Sequence, residues 1–208
     1  MTTDSLKQEA SEWIQWICDS ANNDELREKY DQWAVDYDSK VSPIWTRVPE
    51  AAARTMSDHI EDKDSLLIDV GAGTGLGGEA LALHGFKNMI GMDISPAMLE
   101  KAREKHVYHS TICCAIQDEA FAALGRAQGI VALGVFANSH AGPDDLVALE
   151  RNIAHGGVIV FTVRRSFLST IEPVITERSW ELVSSEVIPV YDDPIHLLTF
   201  KISLETGA

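Results

Sequence analysis

Ile68-Asp69-Val70-Gly71-Ala72-Gly73-Thr74-Gly75 is the stretch that decides how this 208-residue chain folds. It follows the apolar pair Leu66-Leu67 and opens into Leu76-Gly77-Gly78-Glu79-Ala80-Leu81. The order is strand, glycine turn, helix start. Glycine has no Cβ and tolerates positive φ, so such a turn brings backbone N–H groups close to a ligand. Asp69 is the unusual member, because it sets a negative charge where many such loops hold a phosphate.

Downstream, strand patterns at 65–70, 87–93, 108–113, 129–135 and 157–163 alternate with helical patterns at 76–84, 95–105, 117–124 and 143–153. Alternation at this spacing predicts an α/β fold with a doubly wound, mostly parallel sheet. The tail breaks the pattern. Runs 181–190 and 196–203 are separated only by Asp192-Asp193-Pro194 and neighbours. That connection is too short for a parallel crossover, so the pair is expected to be antiparallel. Upstream, residues 4–20, 24–36 and 43–59 read as amphipathic helices, the first capped by Asp4 or Ser5 and the third opened by Pro43. The expectation is an N-terminal helical cap over residues 1–60, part of the same domain as the sheet over 61–208.

Acidic residues number 32 against 17 basic, a net charge of −15. So acidic a surface repels phosphate backbones, which argues against nucleic acid and for neutral or cationic small molecules. The three cysteines, Cys18, Cys113 and Cys114, form neither a disulfide framework nor a zinc spacing. No metal site is expected, and a reducing, cytoplasmic compartment fits. The first residues lack the basic and apolar regions of a signal peptide, and no apolar run suits a membrane span.

Two ligands compete for the glycine loop. Gly73-Thr74-Gly75-Leu76-Gly77-Gly78 matches the dinucleotide pattern G-x-G-x-x-G, but counted from Gly71 the third position is Leu76. A dinucleotide would also set its pyrophosphate near Asp69. S-adenosylmethionine has no phosphate and carries an ammonium and a sulfonium, which a carboxylate near the loop can assist. The alternative for Asp69 is a turn cap bound only to backbone N–H groups. Asp93 ends the second strand at the distance usual for an acceptor of ribose hydroxyls, which suits either ligand. Ser95 then caps a helix, and Pro96 stands in its first turn.

These residues carry a resemblance. Residues 68–75 together with Gly91-Met92-Asp93-Ile94-Ser95-Pro96-Ala97-Met98-Leu99 resemble the class I S-adenosylmethionine-dependent methyltransferases. Tyr30-Asp31-Gln32-Trp33-Ala34-Val35-Asp36-Tyr37-Asp38 resembles the entry helix of its small-molecule members, notably the methyltransferase-like proteins of the Williams–Beuren region group. The resemblance implies seven strands in the order 3-2-1-4-5-7-6, with the seventh antiparallel. It implies a cofactor site drawn from Tyr30, Trp33, Tyr37, Asp69, Gly71, Ala72, Gly73, Gly75, Asp93, Ile94, Met98, Leu133 and Gly134. After the third strand many members carry an acidic residue for the adenine amino group, whereas Ala115 stands here. Backbone groups of Cys114, Ala115 and Ile116, or the side chains of Gln117 or Asp118, are the substitutes, with Cys114 expected to pack rather than react.

Methyl transfer is an in-line displacement, so the protein has to align donor and acceptor and exclude water. A base is needed only if the acceptor atom must lose a proton. The loop Gly134-Val135-Phe136-Ala137-Asn138-Ser139-His140 follows the fourth strand and is expected to face the methyl group. His140 and Tyr37 are the candidate catalytic side chains. For His140 the alternative is a loop histidine without a chemical role, and for Trp33 a residue that glues the cap to the sheet. Arg164 and Arg165 either attract an acidic acceptor or stand as solvated strand-end charges. The expected activity is methyl transfer to a small-molecule acceptor. The alternatives are a non-catalytic S-adenosylmethionine-binding or partner-activating subunit and, less favoured, an NAD-dependent oxidoreductase.

Overall fold

A computed structural model describes residues 12–178, 180–190 and 193–204. Helical backbone runs over residues 12–18 (α1), so residues 4–11 of the expected first helix, with their caps, lie outside the described part. Three helices follow: α2 Asn23–Trp33, α3 Tyr37–Trp45 and α4 Arg47–His59. Pro43, expected to open the third helix, lies instead inside α3. The break falls at Thr46, and the proline of the next first turn is Pro49, where a missing N–H has no intrahelical partner to lose.

The sheet follows the alternation. Its strands are β1 Leu67–Val70, β2 Met89–Asp93, β3 Ser110–Cys113, β4 Ala127–Phe136, β5 Ile153–Arg164, β6 Glu181–Ile188 and β7 Ile195–Lys201. The spatial order is β3-β2-β1-β4-β5-β7-β6. All neighbours are parallel except β7, which runs antiparallel to both β5 and β6. The implied topology is therefore the one observed, and the short tail connection explains the reversed strand.

Helices α5 Leu76–Leu83, α6 Pro96–Glu104, α7 Glu119–Ala122, α8 Pro143–Ala148 and α9 Leu168–Arg178 link or flank the strands. No helical pattern marks residues 168–178 in the sequence, where α9 lies. Its Ile171, Val174, Ile175 and interior Pro173 carry poor helix propensity. Tertiary packing overrides this: Leu168, Ile171 and Ile175 set one stripe against the core.

Alternation along the strands sorts the core into two faces. Ile68 and Val70 join Ile130, Ile159, Phe161 and Phe200 on one side. Leu67 joins Val131, Val158 and Val160 on the other, beneath α4 and α5. The small run Ala51-Ala52-Ala53 lets α4 lie close in this layer. The expected cap of residues 1–60 is thus divided. α4 is a layer of the sheet domain, while α1, α2 and α3 gather around Ile17, Leu26, Trp33 and Val41.

On α5, Gly78 marks a close approach. A Cβ there would stand 2.4 Å from Cζ and Oη of Tyr108, whose ring is wedged between α5 and the sheet. Gly78→Ala is expected to destabilise the fold by roughly 1–3 kcal/mol through overpacking, measured as a fall in the urea midpoint at unchanged m-value.

Candidate active site

The strand order reverses between β1 and β4, and in open α/β sheets ligands bind beyond the strand carboxyl ends at such a point. A cleft of about 210 Å³ lies there. Its floor is made by the loops after β1, β2, β3 and β4, and its roof by α1, α2 and α3.

The floor is held by Asp93. Its Oδ2 accepts from the Gly73 N–H at 2.8 Å, and its Oδ1 accepts from the Ser95 N–H at 2.8 Å. One carboxylate therefore ties the glycine loop to the loop after β2. The group is 8% exposed, and burial pushes its pKa up to about 6 against the lowering effect of the N–H donors. Ser95 caps α6 by accepting from the Met98 N–H at 3.1 Å, with Pro96 in the first turn as expected. In the glycine loop, Gly71 and Gly73 have φ of 65° and 55°, and a Cβ on Gly73 would meet nothing within 4 Å. The outer side of the loop is thus open to a close-lying ligand.

Of the expected cofactor residues, Tyr30, Trp33 and Tyr37 line the roof, although the helix breaks after Trp33 and Tyr37 starts α3. Gly71, Gly73, Asp93 and Ile94 line the floor, and Met98, Ala115 and Ile116 continue it. Leu133 and Gly134 sit where β4 shifts register against β5 between Ala132 and Phe136. This bulge bends the strand end into the cleft, and the Gly134 N–H donates to Thr162 Oγ1 at 2.7 Å across the gap.

Four expected residues stand elsewhere. Asp69 is 2% exposed and faces α5 with Leu67 rather than the cleft. Its Oδ2 accepts from Tyr108 Oη–H at 2.6 Å, and burial raises its pKa to about 7 despite this bond. Together with Ala72 it borders only a small recess behind the glycine loop. Gly75 begins α5 at φ 93°, turned toward Ala102 and Lys105 of α6. Cys114 packs in the core, its thiol pushed up by burial to about 11. Neither Gly75 nor Cys114 lines the cleft. Asp118 Oδ2 is engaged by the Ala115 N–H at 2.8 Å, and Gln117 Nε2 donates to Asp145 Oδ1 at 3.0 Å.

His140 lines the cleft after a tight turn in which Ser139 takes φ 62°. Its Nε2 lies 3.0 Å from Tyr30 Oη, and its Nδ1 lies 3.1 Å from the Asn138 carbonyl oxygen. Burial lowers its pKa, the Asn138 contact opposes this, and Arg164 adds to it. Arg164 also lines the cleft, whereas Arg165 starts a 3-10 turn outside it.

Two further residues, unmarked by local spacing, fasten the roof. Asp31 of α2 accepts from Ser95 Oγ–H at 2.6 Å and from the Ala97 N–H at 3.2 Å. Asp38 of α3 accepts from Thr74 Oγ1–H and pairs with Lys105 Nζ at 2.8 Å. Each acid of the two Tyr-Asp dipeptides therefore pins the roof to one floor loop, while each tyrosine lines the cleft. The signal for this was the repeat of Tyr-Asp itself, at 30–31 and 37–38.

Residues 67–156 match the family model for a methyltransferase domain. By that match and by its strand order, this chain is similar to the class I S-adenosylmethionine-dependent methyltransferases. It is 28% identical over 138 residues to methyltransferase-like protein 27 of Homo sapiens, a match covering 65% of this chain and 56% of that protein. The match thus spans little more than half the length of that relative. Magnesium protoporphyrin IX methyltransferase (ChlM) from Synechocystis PCC 6803, solved with bound SAM, superposes with a TM-score of 0.62 at 14% identity, over 80% of this chain and 82% of that one. A chain of the complex between the Haloferax volcanii Trm112 methyltransferase activator and the putative methyltransferase gives 0.63 at 14% identity, over 84% and 98%. At these identities the two structures share the fold of the methyltransferase domain.

The cofactor of such a domain is S-adenosylmethionine, and the residues present fit it. Asp93 offers unused lone pairs beside an open glycine loop. Trp33 has a buried Nε1–H without a partner among the described residues. The aromatic roof suits a sulfonium.

Two outcomes test this geometry. Asp31→Ala removes the acceptor at the start of α6, with an expected loss of about 1–2 kcal/mol in stability, read by thermal denaturation. The second concerns pH. Asp93 is ionised above about pH 6, and protonation costs it acceptor capacity for ribose hydroxyls. S-adenosylhomocysteine affinity, measured by calorimetry, should therefore fall as pH drops from 7 to 5, and Asp93→Asn should flatten that dependence. The fold itself responds with the opposite sign. Both Asp69 and Asp93 have raised pKa values, so their contribution to stability is full below about pH 4 and is lost as pH rises through 6 and 7.

Proposed function

We propose that this chain transfers the methyl group of S-adenosylmethionine to a small-molecule acceptor held beneath the roof. The carrying observation is the roof itself. It lies over the cleft and is pinned by Asp31 to the loop after β2 and by Asp38 to the loop after β1. An acceptor that fits within the cleft leaves those contacts intact, whereas a macromolecular segment would displace them. The net charge of −15 supports the same reading by disfavouring nucleic acid.

When bound, the cofactor supplies a methyl carbon activated by its sulfonium. Asp93 would accept from the ribose hydroxyls, and Gly71 and Gly73 would bring backbone against the amino-acid end. Met98, Ala115 and Ile116 would pack on the adenine. Trp33 and Tyr37, whose rings meet edge to face at 4.7 Å, cover the site and keep water out. The acceptor would occupy the rest of the cleft, between Phe136, His140 and Arg164.

Two measurements test this reading. S-adenosylhomocysteine at a hundred times its Kd should raise the melting temperature by about 5–10 °C, and NAD should not. The reverse would favour a dinucleotide enzyme. Incubation with labelled methyl donor and a metabolite extract should return a labelled small molecule. No labelled product alongside donor binding would point to a non-catalytic, donor-binding subunit.

A further inference from the structure

We propose that Tyr30 and His140 form a proton relay, which fits the cleft to an apolar small molecule whose attacking atom carries a weakly acidic hydroxyl or thiol proton. The inference rests on the methyl-transfer reading above.

The hydrogen-bond geometry fixes the relay's direction. The Asn138 carbonyl oxygen can only accept, so the ring nitrogen facing it, Nδ1, carries the proton. In the neutral ring Nε2 is then bare, and Tyr30 Oη–H donates to it at 3.0 Å. The two rings also meet edge to face at 5.9 Å. Tyr30 comes from α2 and His140 from the loop after β4, so the pair forms only when the roof is seated. Both line the cleft. Among the described residues, the other titratable groups lining it are Cys18 from α1, Tyr37 from α3, Asp93 from β2, Asp145 from α8 and Arg164 from β5. Burial and Arg164 both lower the pKa of His140, so the ring is a bare acceptor at neutral pH.

The chemistry follows from proton balance. As the acceptor oxygen or sulfur takes the methyl group, its proton passes to Tyr30 Oη and the phenolic proton passes to His140 Nε2. The positive charge that leaves the donor reappears on the imidazolium, with one N–H held by Asn138 and the other by Tyr30. Solvent takes that proton after the product departs. Efficient transfer needs matched acidities. A phenol (about 10) or a thiol (about 8.5) is acidic enough to pass its proton to a neighbouring phenolic oxygen. A neutral amine needs no base before attack. The walls beside the pair, Ile14, Ile17, Leu26 and Phe136, suit an apolar body.

The test uses the full chain with isotope-labelled histidine, as wild type, Tyr30→Phe and His140→Gln. The glutamine variant assigns the His140 signal among the seven histidines. NMR should show the Nδ1–H tautomer at pH 7.5. Tyr30→Phe should raise the His140 pKa by about half to one unit, because the lost donor favoured the neutral ring. An Nε2–H tautomer, or no shift, overturns the relay. In the second arm, small phenols, aryl thiols and aryl amines are each incubated with labelled donor. Product is expected from the phenol or the thiol, with kcat rising through the His140 pKa and falling about 100-fold in both variants. S-adenosylhomocysteine should bind His140→Gln within about threefold of wild type, since His140 touches the acceptor side. Turnover of the amine alone overturns the proposal. Wild-type chain that fails to bind S-adenosylhomocysteine overturns the methyl-transfer reading beneath it, whatever the tautomer.

Discussion

The carboxylate of Asp93 is the joint on which the site depends. It accepts one N–H from the glycine loop and one from the loop after β2, so two segments twenty residues apart keep a fixed separation. Charge-assisted bonds to backbone N–H are stronger than neutral ones, and burial removes the competition of water. The same burial raises the group's pKa, so its stabilising geometry and its ionisation oppose each other. Asp31 and Asp38 extend the arrangement upward. They fasten the roof to the two loops that Asp93 has already joined. The position of the roof is thus set by the floor loops themselves, and the two halves of the cleft are not independent.

Much of this was legible in the chain. Strand–helix alternation and one short tail connection were enough for the sheet, because parallel crossovers and hairpins demand different lengths. The distance of Asp93 from Gly71 marked it as a candidate ribose acceptor, but its ties to the Gly73 and Ser95 N–H groups were not legible from spacing. Helix α9 was not, since Pro173 and three β-branched neighbours hide a helix that packing stabilises. Asp31 and Asp38 escaped because their partners lie 64 and 36 residues away, beyond the reach of local spacing. Nor does the sequence pair Tyr30 with a histidine 110 residues distant.

Asp69 shows how alternation can correct a charge argument. Set beside the loop in sequence, it reads as an anion facing the ligand. Set on the strand, it shares the face of Leu67 and turns toward α5, where Tyr108 takes its proton-accepting oxygen. The discrimination against a pyrophosphate therefore does not rest on Asp69. The glycines at 77 and 78 have a different purpose from the one their pattern suggests. They make room for the Asp69 carboxylate and the Tyr108 ring.

The latches have a kinetic meaning. Lifting α2 and α3 from the loops breaks the Asp31 and Asp38 contacts, so any opening of the roof is paced by them. Lys105 sits between Asp38 and Glu79, half-exposed partners whose attraction weakens as salt rises. Ionic strength is accordingly a handle on how firmly the roof is held. A roof fastened this way answers to surface electrostatics, while the floor beneath stays tied by the buried Asp93.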